Sequence, residues 1–247
     1  MAEKAFRLPT KDLQKLATVA GTCIASDRIS VEGSRVGMMF REPPRSTGDS
    51  GWRFLAGDES DEYRNTPSHH EEFDLDVIAN HDRDIVPLLD SPAGKAYARV
   101  IDGDGLVRAD SPVDPDSCLH PDFPIVEGVV SLDDRWSIRL PYKFNRRVEE
   151  GDTIFWRVGM TVFVSRFENH NNDTLENRLV WLRDAMSDQA FDVEVIREDR
   201  SCRLAYRLHE QRRASVLHAI YAFQLIETGH LQMAIYTDDS RDLGKAS

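Results

Sequence analysis

The run T-I-F-W-R-V-G-M-T-V-F-V-S-R-F, Thr153 to Phe167, constrains the fold more than any other stretch of the chain. β-Branched and aromatic side chains fill it, and these pack well on a pleated surface but lose rotamer freedom in a helix. Strand is therefore expected over Asp152–Val158 and Met160–Phe167, with Gly159 as a bulge inside one long strand. A turn cluster, N-H-N-N-D, follows. Asp173 and Glu176 have capping-box spacing, and Leu175, Leu179, Leu182 and Met186 recur at three and four residues as one helical stripe.

Beyond that helix, F-D-V-E-V-I (Phe191–Ile196) and C-R-L-A-Y-R-L (Cys202–Leu208) alternate like half-buried strands around an R-E-D-R-S turn. A second helix is expected from about Arg212 to Thr228, with Leu217, Ile220, Tyr221 and Leu225 inward and Gly229 as its stop. Leu231–Tyr236 then closes the unit as a strand, and Trp136–Leu140 supplies an additional one before it. Strand, helix, strand, strand, helix, strand is the ferredoxin-like split arrangement, with two helices on one face of an antiparallel sheet. That fold hosts many unrelated activities and names none.

The N-terminal half reads as a compact mixture. A helix capped by Thr10 carries Leu13, Leu16, Ala17 and Ala20 on one side and ends at Gly21. Strands are expected at Thr22–Ser26, Arg35–Arg41 and Trp52–Leu55, a helical piece near Leu75–Asn80, and breaks at Pro87 and Pro92. Between the halves, Ile101 to Pro124 mixes Gly, Pro, Asp and Ser with little periodicity, the composition of a linker. The expected class is α+β in two domains: a compact α+β domain at 1–100, an acidic linker at 101–130, and a ferredoxin-like (βαββαβ) sandwich at 131–240.

Charge narrows the function. The net charge of −12 speaks against nucleic acid, which requires a basic footprint, and favours a basic partner. No run is long and apolar enough for a membrane span. The N-terminus lacks the apolar core and cleavage site of a secretory signal, so a cytoplasmic protein is expected. Cys23, Cys118 and Cys202 are odd in number and far apart, which fits a reducing compartment and excludes a C-x-x-C zinc pair.

A series of motifs in the N-terminal half is similar to a known bacterial family. They are C-I-A-S-D-R-I-S-V-E-G, V-G-M-M-F-R-E-P-P, D-S-G-W-R-F-L-A-G-D-E-S-D-E-Y and I-A-N-H-D-R-D-I-V-P-L-L-D-S-P-A-G-K-A-Y. In that order, over about residues 22–99, they resemble immunity protein family thirty-three, formerly a domain of unknown function. The resemblance implies a protein that neutralises a toxin of a polymorphic or contact-dependent secretion system. It brings no catalytic residues with it, and the C-terminal half lies outside it.

The residues themselves give the candidate surface. Trp52 and Phe54 share one face of a strand by period two, which points to core packing, while Trp is also a common interface anchor. Asp58, Glu59, Asp61 and Glu62 crowd the turn after it, beside Tyr63. These acids have three readings: a solvated turn, a metal or acid–base site, or a contact for a basic patch. His69-His70-Glu71-Glu72 lacks the helical spacing that aims two imidazoles at one metal. The sequence thus points to no cofactor, no metal and no catalytic residue. Trp52, Asp58, Glu59, Asp61, Glu62 and Tyr63 are the expected partner-binding surface, with the acidic linker at 101–122 as a second possibility, for a cognate toxin with a basic active-site cleft. A hydrolase using His69, His70 or His81, and a homodimeric adaptor, are the alternatives.

Overall fold

The computed structural model describes residues 4–9, 11, 13–100, 105–212 and 215–237. The chain divides into two compact units, Met1–Cys118 and Leu119–Ser247. The expected class is overturned: the molecule is mostly β, 46% strand and 17% helix, built on sheets of six and eight strands. Neither a compact α+β domain nor a ferredoxin-like sandwich is present.

In the first unit the strands are β1 (Thr22–Ser26), β2 (Met38–Arg41), β3 (Asp49–Leu55), β4 (His70–Asp74), β5 (Ala96–Arg99) and β6 (Leu106–Ala109). Their order across the sheet is β4-β1-β3-β2-β5-β6, with β1 and β3 parallel and the other pairs antiparallel. Alternation sends Cys23, Ala25, Met39, Trp52 and Phe54 to one face. There they meet Ile29 of helix α1 (Asp27–Ser30), Leu75, Ile78 and Ala79 of α3 (Leu75–His81), and Ile85 and Leu89 from the 3-10 turn beyond it. A further one-turn helix, α2 (Asp61–Arg64), follows β3. Trp52 and Phe54 are fully buried and stacked with ring centroids 6.1 Å apart, and the Trp52 indole N–H donates to the Leu89 carbonyl at 3.1 Å.

The helix expected over residues 10–20 is absent among the described residues of that stretch. Its backbone is instead claimed by side chains of α3. The amides of Leu16 and Ala17 each donate to Asp76 Oδ1 at 2.7 Å, and that of Gln14 to Asn80 Oδ1 at 3.1 Å. An N–H held this way is lost to an i−4 carbonyl, so the segment runs irregularly while Leu8 and Ala17 still reach the core. Thr10, its expected cap, lies outside the described residues.

The second unit is one antiparallel sheet of β7 (Ile125–Ser131), β8 (Ser137–Glu149), β9 (Asp152–Arg157), β10 (Met160–Glu168), β11 (Phe191–Glu198), β12 (Ser201–Arg212), β13 (Ser215–Ile226) and β14 (Gly229–Thr237). The order is β11-β12-β13-β14-β10-β9-β8-β7: two meanders joined where β14 pairs with β10. Helix α4 (Leu175–Asp184) links them and packs Leu179 and Leu182 on Leu204, Phe223 and Leu225. The other face gathers Phe155, Val162, Val164, Leu231 and Ile235 against Trp136 and Leu140.

Three local expectations change here. The second helix, at 212–228, is β13. Leu217, Tyr221 and Leu225 are four apart, an even interval that serves a strand face equally well. Because α4 covers one face of β13 and the second apolar cluster fills the other, the polar–apolar alternation that marks a strand is missing. Gly159 is no bulge: Arg157 pairs with Met160, so Val158–Gly159 is a two-residue hairpin turn, with φ of +79° at the glycine. The cap of α4 is Thr174, whose hydroxyl accepts from the Asn177 amide at 3.2 Å, rather than Asp173.

Replacing Trp52 by Phe removes the bond to Leu89 and part of the ring's packing volume. A loss of ~1–3 kcal/mol is expected in urea unfolding of the full chain. A loss indistinguishable from zero would contradict the described packing of the indole.

Candidate functional site

The face of the first sheet opposite α3 carries the candidate site. Successive strand residues face opposite ways, so the strands that send Cys23, Met39 and Trp52 inward present Ile24, Met38, Phe40, Arg53 and Leu55 on the other side. These form the floor of a groove of about 720 Å³. Glu42 and Arg45 from the β2–β3 connection, Asp61, Arg64 and Asn65 around α2, and His70, Glu71 and Glu72 of β4 stand around it. Ile24, Met38 and Phe40 are half-buried, leaving apolar surface open within a charged rim.

Arg53 is the unusual member. Its side chain is only 7% exposed, in the middle of a sheet face. The guanidinium donates to both carboxylate oxygens of Asp49, at 3.0 and 2.8 Å, to Glu42 at 2.9 Å and to the Trp52 carbonyl at 3.0 Å. Asp49 also accepts from the amides of Arg45 (3.0 Å) and Gly51 (2.8 Å). Arg53, and then these backbone amides, hold the Asp49 carboxyl well below the usual carboxylate range. Gly51 makes this geometry possible. Its φ is +81°, and a Cβ there would stand 2.2 Å from the Glu42 carbonyl oxygen.

The sequence-selected residues separate on inspection. Trp52 lies in the core behind the groove. Asp58 is paired with Arg28, which also holds Glu32 and draws the Asp58 carboxyl below its ordinary value. Glu59 is turned back onto its own loop. It accepts from the amides of Ala56 (2.7 Å) and Gly57 (2.8 Å) and from the buried Ser26 hydroxyl (2.6 Å), clipping the turn to the end of β1. Asp61 lines the groove, paired with Arg64, while Glu62 is exposed and has no ion pair among the described residues. Tyr63 packs on the His69 ring, centroids 4.1 Å apart, and burial raises its phenol pKa. The capping hydroxyl of α2 is Ser60, which accepts from the Tyr63 amide at 3.2 Å.

His70 and His81 each hold a backbone carbonyl. His70 donates to the Arg64 carbonyl at 3.0 Å, and His81 to that of Ser34 at 2.9 Å. Among the described residues no group of three or more His, Cys, Asp or Glu is placed to hold a metal ion. All three cysteines are free thiols, Cys23 and Cys202 buried. Sequence reading missed the groove floor, although its signal was present: Arg53 stands between two core aromatics, and Met38 and Phe40 flank the buried Met39. Period two that assigns Trp52 and Phe54 to the core assigns their neighbours to a second face.

The family model of the Immunity protein Imm33 domain matches residues 23–108, a segment that begins within β1 and ends within β6. No curated protein and no solved structure matches the chain. The matched segment, about a third of the chain, is similar to an immunity domain, a likeness that suggests a function against a toxin. Immunity proteins of this family are generally non-enzymatic. Among the described residues no helix is long and apolar enough to cross a membrane.

Arg53→Met leaves Asp49 and Glu42 facing one another without their cation, and a destabilisation of ~3–5 kcal/mol is expected near neutral pH. The folded pKa of Asp49 is depressed, so its contribution is complete above the unfolded value of about 4 and is lost as pH falls below it. The stability gap between wild type and Arg53→Met should therefore narrow in acid, and a gap constant down to pH 2 contradicts this. Glu59→Gln replaces one acceptor oxygen by a donor facing an amide. Amide exchange of Ala56 and Gly57 should accelerate, with a stability loss of ~1–2 kcal/mol; unchanged exchange refutes the clip.

Proposed function

We propose that the protein is an immunity protein that binds a cognate secreted bacterial toxin and neutralises it by covering the toxin's active site. The observation that carries this reading is the immunity-domain match over the strands that build the groove. The toxin would come from a polymorphic or contact-dependent system, and the encounter would take place in the cytoplasm of the producing cell. The partner surface is the groove with its acidic margin. Asp61, Glu62 and Glu72 face the toxin, Tyr63 supports the rim, and Asp58 and Glu59 hold the turn in shape. Trp52 contributes from behind, by fixing β3.

The chemistry favours a basic cleft as the counterpart. The chain carries a net charge of −12, and opposed fields speed encounter. Ile24, Met38 and Phe40 then supply the desolvated centre that holds a complex together once charge has steered it, with the rim adding little affinity. The groove is smaller than a standard interface, about 800 Å² per partner, so neighbouring surface has to join it.

The product of the adjacent gene, co-expressed with this chain, tests the reading. A stable complex is expected, with an association rate that falls steeply between low and physiological salt. Reversing Asp61, Glu62 and Glu72 to Lys should slow association at least ~10-fold while changing dissociation little. A complex that associates equally fast in all salts and in the triple variant removes the acidic margin from the mechanism. No complex and no protection of cells removes the immunity reading.

A further inference from the structure

The second unit has a cavity of its own, and we propose that it is a binding pocket for a small amphipathic carboxylate. The pocket measures about 590 Å³, within the usual range for small-molecule sites. One wall is the head of β8 and the residue before it, with Trp136 and Ile138. The other is the β11–β14 side of the sheet, with Ile196, Leu231 and Met233. The neighbours of β8 in the sheet are β7 and β9, far from β11 and β12 in strand order. For one cavity to touch both, the sheet has to curl until its two meanders face one another, and the space between them is the pocket.

Both walls are fixed before any ligand arrives. On the β8 side, Asp133 Oδ1 accepts from the amides of Arg135 (2.8 Å) and Trp136 (2.9 Å), and its other oxygen from Arg166 at 3.3 Å. Arg135 is in turn paired with Glu168. On the sheet side, Arg203 and Gln224 are directly opposed across β12 and β13, and Arg203 Nε donates to Gln224 Oε1 at 2.6 Å.

That last bond decides the ligand's chemistry. Gln224 is neutral, so it orients the exposed guanidinium without neutralising it, and neither Nη group has a partner among the described residues. A planar guanidinium anchored through Nε presents its two Nη donors to a carboxylate. Arg139 also lines the pocket, as does Arg135, itself paired with Glu168, and among the described lining residues Glu194 is the one carboxylate. In a chain with a net charge of −12, this local excess of cations beside apolar walls fits an anionic head with an apolar body. The inference is independent of the toxin reading, because no residue of segment 23–108 takes part.

Calorimetry on the full chain with dodecanoate below its micellar concentration tests the proposal. One-to-one binding is expected, with dodecyltrimethylammonium of the same tail length binding at least ~10-fold more weakly. Arg203→Met keeps the apolar stem and should weaken dodecanoate at least ~10-fold, and Gln224→Glu, which neutralises Arg203 in place, should do the same. Circular dichroism of both variants separates lost binding from lost fold, and two surface-side substitutions failing together in the same way would not be a folding artefact. Absence of saturable binding overturns the proposal. So does equal binding of the two amphiphiles, undiminished binding in both variants, or a preference for an acidic peptide over dodecanoate.

Discussion

A guanidinium buried in the middle of a β-sheet is a demand that the surrounding chain has to meet. Taken from water without partners, the Arg53 charge would cost several kcal/mol, more than a marginally stable domain can spare. Its neighbourhood is arranged around that fact. Asp49 supplies two oxygens and Glu42 a third, and Asp49 is itself anchored by the amides of Arg45 and Gly51. The left-handed Gly51 lets the β2–β3 connection approach closely enough to bring Glu42 in. The ion cluster thereby ties β3 to the strand connection beside it, and it keeps one face of the sheet polar at its centre. Apolar side chains surround that centre without closing over it. A groove results where a second hydrophobic layer would otherwise form.

The second unit meets the opposite requirement. Its strands are apolar on both sides, so each face has to be covered. One helix suffices for the face bearing Leu204, Phe223 and Leu225. The other is covered by the sheet's own curvature, which lays Trp136 and Leu140 over the apolar residues of β10 and β14. Right-handed twist accumulates across eight strands, so such curling follows from sheet geometry itself. Its incomplete closure leaves the arginine-flanked cavity.

Much of the strand content was legible because it obeyed local rules. Thr22–Ser26 is read correctly from its residues alone, and α3 and α4 fall within a residue or two of their hydrophobic stripes. The helix at 212–228 failed because burial on both faces erases the alternation that separates the two periods. The helix at 10–20 failed because Asp76 and Asn80, sixty residues away, capture its amides. Neither cause is visible in a local window. The same limit applies to the site. The acids after Gly57 attract attention as a cluster, but the partners of Asp58 and Glu59, Arg28 and Ser26, are brought in by α1 and β1. Composition registered the charge of Asp58 and Glu59 and not the partners that hold them. The groove floor was readable in principle, from what alternates with Trp52 and Phe54, but only once those two had been assigned to a buried face.

The pairing of β14 with β10 has a consequence for how the protein is made. Met160 is matched with Thr237 and Glu168 with Gly229, so a strand near the middle of the sheet waits for one synthesised much later. At ~5–20 residues per second, β10 spends seconds on the ribosome with an open hydrogen-bonding edge, a template for pairing with another chain. The first unit has waits of its own, Met38 for Ala98 and Thr22 for Asp74, but all its strands precede residue 119. Translation therefore delivers the whole segment similar to an immunity domain before the second sheet is assembled. Premature termination beyond residue 119 should fall on the second unit and spare the first.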